Sequence, residues 1–379
     1  MVQPLSARPR GDRLFHRGGI PMNRRASCSA IFAAIFAAVA VSISACAGFD
    51  LSVGYDASPA ANFDYFWRLF DENYASFAEK GVDWDAVRSE REPLVDEGMS
   101  EDELFDLLAS MIYELDDPHV SLRNPTRFAN SARSSELRTQ FREATTGAYL
   151  EGASLRGGGR FVTGRIAGRP ELAYVRIKNF SPGGGAGSMM ANHSEWAEDI
   201  DPIMAAFADA AGLIVDLRDN RGGLMQDVAY IAGRFYAEDE VYAVTREKTG
   251  PGREDFGSPY ELRIAAGGTR APEVPLVVLT NRLTTSAGEF MAMALLRLPG
   301  ARQVGTRTAG GFSFRTLHEL PNGWTCTVST QRVRTSEGLS YEGAGIVPPP
   351  GFVVQNTEEA AAQGRDPQLE AALVLFAGE

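Results

Sequence analysis

Two predominantly apolar segments, residues 213–217 and 275–280, each lead through a short turn into a helix-like stretch, at 224–235 and 286–298. A strand written as a continuous apolar run is buried on both faces, the state of parallel strands covered by helices. Strand patterns also occur at 172–177 and 241–245, with a helix pattern at 195–211 and a glycine-rich loop at 181–187 between them. This half alternates strand and helix, so the expected class is α/β. Upstream, Phe63, Phe66, Trp67, Phe70 and Tyr74 stand at helical spacing within 62–78, and Ser100 with Glu103 opens a second helix that ends by Asp116. Residues 124–170 carry weak signals apart from a hairpin-like 155–162. Residues 324–333 alternate as one half-buried strand in which Cys326 is a packing residue, and 357–364 is a polar linker or helix.

Residues 30–45 form an uncharged apolar run preceded by Arg24 and Arg25, too short to span a bilayer and suited to a signal h-region. The run ends Ile43-Ser44-Ala45-Cys46, which resembles a bacterial lipobox and implies acylation of Cys46 after cleavage. The alternative is an ordinary signal peptide cut after a small residue; both export the protein. Met22 opens a conventional leader, so either Met1 or Met22 is the start. The organisation expected is a leader at 1–45, a helical subdomain at 46–123, a short β-rich connection at 124–170 and an α/β core at 171–379.

With 37 Lys and Arg against 49 Asp and Glu, the formal charge is −12, and nucleic acid is excluded as a partner by repulsion. The only membrane contact expected is the lipid anchor. Three cysteines without a C-x-x-C pair, scattered histidines and no H-E-x-x-H point to no metal and no cofactor. The segment around Ser286 also lacks the G-x-S-x-G elbow of α/β-hydrolases.

Ser286 lies where an apolar strand gives way to a helix, so its hydroxyl sits at a helix N-terminus that favours negative charge. Ser286 with Glu289 equally reads as a capping box. Beyond the leader the histidines are His119, His193 and His318: the first follows Asp116-Asp117-Pro118, the second lies in a polar segment and the third faces either the site or solvent. Gly222 and Gly223, closing Asp216-Leu217-Arg218-Asp219-Asn220-Arg221, are either oxyanion donors or a plain turn.

In order along the chain, Asp83-Trp84-Asp85, Leu115 to His119, Tyr174-Val175-Arg176-Ile177, Asp216 to Gly223, Thr285 to Glu289, Gly305 to Gly310 and Glu342 to Pro348 resemble the family of C-terminal processing and tricorn-type serine peptidases. The resemblance implies a crotonase-like (ClpP/crotonase) spiral of ββα units with a helical N-terminal subdomain. It also implies a serine endopeptidase acting on proteins or peptides, which the leader would export. Processing peptidases of the Ser/Lys design carry a lysine where Gly311 stands, so the implied site is the tricorn-like one: Ser286 as nucleophile, His119 as base and Glu342 as orienter. The oxyanion donors carried over are the N–H of Gly222 or Gly223 and that of Ala287. Tricorn-type enzymes have a serine where Pro118 stands, so the fourth member is absent or comes from elsewhere, with Ser121 the candidate. The usual Asp is replaced by Pro349, and the stretch 120–171 is too short for a typical PDZ module. The competing implication is a non-catalytic ligand- or peptide-binding module on the same fold.

Overall fold

The chain enters through α1 (Pro59–Asn73), α2 (Phe77–Lys80), α3 (Trp84–Arg91) and α4 (Glu101–Tyr113) in the computed structural model, which describes residues 56–132, 139–182 and 193–377. The leader, Cys46 and residues 183–187 of the glycine-rich stretch lie outside these. α1 carries the expected aromatic stripe but stops at Asn73, because Tyr74 turns extended and gives its hydroxyl to the buried Asp117 at 3.0 Å. At α4 the capping box forms, with Ser100 N–H on the Glu103 carboxylate at 2.9 Å.

Next come β1 (Ser121–Arg123), β2 (Phe128–Asn130), α5 (Glu143–Gly147), β3 (Leu150–Arg156) and β4 (Phe161–Ile166). β3 and β4 are the expected hairpin, with Leu155 opposite Val162. Strand and helix then alternate, apart from the three successive strands β7 to β9, through β5 (Arg169–Ile177), α6 (Ile200–Ala206), β6 (Gly212–Asp216), α7 (Met225–Ala232), β7 (Glu240–Glu247), β8 (Tyr260–Ile264), β9 (Leu276–Thr280), α8 (Ala287–Leu296) and β10 (Arg302–Gly305). The helix expected at 195–211 is divided: residues 195–199 are a 3₁₀ turn and α6 begins at Ile200. Pro202 explains this, since its ring has no N–H and would clash with the carbonyl four residues back in a continuous α-helix. The chain finishes with β11 (Arg315–Glu319), β12 (Thr325–Ser329), β13 (Gln331–Thr335), α9 (Glu358–Ala362) and α10 (Pro367–Val374).

Strands β10, β9, β6 and β5 run parallel from one edge of a six-stranded sheet, and β4 and β3 extend it, antiparallel, to the other. Every residue of β6 and β9 is buried, and Leu213 pairs with Leu276, as their apolar runs require. The stretch 324–333 is not one strand. It changes sheets at Thr330, so that β12 pairs with β11 and β1 while β13 pairs with β7. One continuous strand could not serve both partners.

Helices α1 to α4 bury their aromatic faces in a cluster completed by Leu320, Trp324, Cys326 and Val328 of the last third of the chain. The helical region therefore has no core of its own, and residues 56–379 cluster as one unit.

Candidate active site

A cleft of about 800 Å³ opens at the carboxyl ends of β5, β6 and β9, the edge where open α/β sheets place ligands. Its floor is formed by Asp219, Arg221, Gly222, Gly223, Thr285 and Ser286, and its opposite wall by Pro118, His119 and residues 312–315. Four segments far apart in sequence meet here.

Ser286 is the residue before α8 and has φ 57° and ψ −127°, a left-handed conformation rare for a side chain with a Cβ. Glu289 maintains that turn. Its fully buried carboxylate accepts the Ser286 N–H at 3.0 Å, the Thr308 hydroxyl at 2.5 Å and the N–H groups of Gly310 and Gly311 at 2.7 and 2.8 Å. Burial raises the Glu289 pKa above the usual carboxylate value, while these four donors oppose that shift. Capping and exposure of a nucleophile are thus compatible at Ser286.

Gly222 has φ 86°, and a Cβ there would stand 2.8 Å from both the Ser286 Cβ and the Ala287 nitrogen, so only glycine fits. Its N–H, however, is already given to Asn220 Oδ1 at 2.9 Å. Among the described residues no acceptor takes the N–H of Gly223 or of Ala287, so these two are available to an oxyanion, whereas that of Gly222 is already engaged. Gly223 packs its Cα directly on the Phe180 backbone, beside which no side chain could fit.

His119 stands two residues after Asp117, whose carboxylate accepts the His119 backbone N–H at 2.8 Å and the Tyr74 hydroxyl at 3.0 Å. The ring is buried, and Nδ1 has no hydrogen-bond partner. Burial moves the imidazole below its ordinary pKa; the Asp117 charge opposes the shift, Arg315 and Lys80 reinforce it, and the Ser313 backbone opposes it again. A shift upward, expected for a ring beside carboxylates, is therefore overruled by desolvation.

Glu342 does not line the cleft. It is buried behind the wall, where Oε2 accepts the N–H groups of Phe312 and Ser313 at 2.8 and 2.9 Å and Oε1 has no hydrogen bond, lying 3.7 Å from Lys80 Nζ. Neither side chain of the His119/Glu342 pair hydrogen-bonds the other; the carboxylate whose charge acts first on His119 is Asp117. Burial and the Asp117 charge push the Glu342 pKa up to about 8, against Lys80 and the Phe312 N–H.

Other candidates fall elsewhere. His193 stacks on Tyr230 with ring centroids 3.6 Å apart, and His318 bonds Thr316 at 2.7 Å on β11, so neither reaches the cleft. The Ser121 hydroxyl is paired with Thr327 Oγ1 at 2.8 Å and does not touch Glu342. Cys326 is buried opposite Leu122, with its thiol pushed up to about 12, an inert packing residue. Gly311 adjoins Pro118 so closely that a Cβ would overlap the pyrrolidine ring, and that Cβ would lie 3.7 Å from His119 Cε1. Pro118 and His119 thus occupy the space into which a side chain at 311 would project. Lys80 and the Pro118/Gly311 contact escaped the sequence reading; no local pattern announces a contact between such distant positions.

A family model described as Peptidase family S41 matches residues 171–349, and one for the Tricorn protease C1 domain matches residues 55–113. A solved protein of Parabacteroides merdae, provisionally named a peptidase, is 33% identical with a TM-score of 0.74, over 84% of this chain and 97% of that one. The Carboxyl-terminal-processing protease of Synechocystis is 32% identical over 211 residues, 55% of this chain and 44% of the relative. Tricorn protease homolog 1 of Streptomyces coelicolor is 25% identical over 83% of this chain and 34% of its own length. The chain spans less than half the length of these two curated relatives. The crotonase-like α/β core with a helical N-terminal region is the fold shared with the solved S41-type structures.

Proposed function

The chain belongs to peptidase family S41, and from that premise we propose that it is a serine endopeptidase of the tricorn-like design, hydrolysing peptide bonds in proteins or peptides. The observation that carries the reading is one cleft bordered by Ser286, His119, Gly223 and the start of α8, while the place of a catalytic lysine is a glycine packed against Pro118. In this mechanism the Ser286 hydroxyl attacks the scissile carbonyl carbon and its proton passes to His119. The N–H groups of Gly223 and Ala287 hold the oxyanion. His119 returns the proton to the leaving amine, and the same ring then takes a proton from the water that hydrolyses the acyl ester and frees Ser286. Glu342 acts through the buried charge cluster rather than by a direct bond to the ring. Export as a lipoprotein on Cys46 belongs to the same reading and rests on the leader sequence alone.

A fluorophosphonate probe tests the proposal. Wild-type protein should be labelled at Ser286, Ser286→Ala should not, and both Ser286→Ala and His119→Ala should lose peptide cleavage by several orders of magnitude. Absence of both labelling and cleavage in the wild type would favour the non-catalytic binding module instead.

A further inference from the structure

We propose that Lys80 is a positioning residue of this site, its ammonium joining the Asp116 carbonyl to the Glu342 carboxylate and thereby holding the backbone that presents His119. The inference rests on the peptidase reading above. Lys80 ends α2, and its side chain is only 6% exposed; Nζ donates to the Asp116 carbonyl at 2.9 Å and lies 3.7 Å from Glu342 Oε1, itself on a side chain 4% exposed. Burying an ammonium is costly unless partners compensate it, and here both partners belong to the site.

Asp116 has φ 43°, a left-handed backbone that is strained for a non-glycine residue and persists only where neighbours hold it. Lys80 grips the carbonyl of that residue, three positions before His119. Its stem also lies against Gly343, where a Cβ would come within 3.2 Å of Lys80 Cδ. One side chain therefore touches the segment before the histidine and the segment of the glutamate. The ammonium of Lys80 is the side-chain cation beside this carboxylate, 3.7 Å from its Oε1.

The charged and titratable groups around the pair come from several elements. Asp117 and His119 stand in the loop after α4, Tyr74 after α1, Glu289 on α8 and Arg315 on β11. Glu79, the neighbour of Lys80, is engaged by Arg332 at 3.1 Å and Arg334 at 3.6 Å. This leaves Lys80 to balance the carboxylate cluster of Asp117 and Glu342.

The test uses the full chain with Lys80→Met, Lys80→Arg, Glu342→Gln and the Lys80→Met/Glu342→Gln double variant. Fluorophosphonate labelling and peptide turnover are followed against pH, and thermal unfolding is recorded for each protein. Lys80→Met should lower kcat about tenfold or more with KM within about twofold, and should displace the alkaline limb of the pH profile upward. Lys80→Arg should recover most of kcat, and the Lys80 and Glu342 losses should be non-additive, because both act through one contact. Wild-type kcat and pH profile in Lys80→Met, or additive losses in the double variant, overturn the proposal. Should Lys80→Met fail to fold, Lys80→Gln decides in its place: a fall in melting temperature with an unmoved pH profile and no change in kcat makes Lys80 merely structural. A wild type that neither labels nor cleaves removes the peptidase reading itself, an outcome distinct from all of these.

Discussion

At the scale of the residue, loss of hydration disfavours the imidazolium of His119 more than the Asp117 charge favours it, so the ring is neutral at pH values where an exposed histidine is still half protonated. A general base works in its neutral form, and kcat/KM is therefore expected to rise with a midpoint below about 6.5. Glu342, with its pKa pushed up to about 8, adds a second and smaller rise near that pH as it becomes ionised and favours the imidazolium of the transition state. Glu342→Gln should erase the second rise and keep the first; a single rise centred above about 7 in the wild type would contradict the burial argument. Stability follows with a definite sign. Between the ordinary carboxylate value and about 8 the native protein holds a proton on Glu342 that the unfolded chain has released, so this contribution is complete at low pH and is lost as pH rises through about 8. Melting temperatures at about pH 5.5 and about pH 8.5 should differ less in Glu342→Gln than in wild type. The sequence named His119 and Glu342 as candidates, yet the direction of either shift was not legible there, because it depends on what covers each group.

Two elements decide how the site is held: the loop before β11 and the buried end of β6. Gly311 lies against Pro118, so Gly311→Ala should force that ring aside, destabilise the protein by about 1–3 kcal/mol and reduce turnover by shifting His119. A Pro118→Ala change in the same chain should recover part of both losses, read by chemical denaturation and peptide cleavage. If the single variant is as stable and active as wild type, the steric contact does not constrain the site. Just past β6, the Arg218 guanidinium is fully buried and ion-paired with Asp216 at 2.6 Å and with Asp366, the N-cap of α10, at 2.7 Å. Arg218→Met leaves two buried carboxylates without their cation and should cost about 3–5 kcal/mol in urea unfolding. The motif containing Arg218 was visible in the sequence as a strand end opening a glycine turn. Its partner Asp366 was not, since a contact across the whole α/β core has no local periodicity.

For the whole molecule, the net charge of −12 leaves the body with no attraction to anionic lipid, so membrane attachment would depend on Cys46. Cys46→Ser should abolish lipid labelling and leave an uncleaved precursor in a fractionation of producing cells; normal processing of that variant would discard the lipoprotein assignment. The fold class could be read directly from the chain because its signals are local: mostly apolar runs become the buried parallel strands β6 and β9, and the turns after them bring Gly223 and Ser286 to one cleft. The capping boxes at Ser100 and the β3–β4 hairpin were legible for the same reason. What needed three dimensions was every property set by burial or by contact between remote segments. Only the folded chain assigns the Gly222 N–H to Asn220, divides residues 324–333 between two sheets, and sets Lys80 between Asp116 and Glu342. Periodicity records which face of an element is apolar, whereas desolvation and Coulomb energy depend on distances that no neighbouring residue encodes.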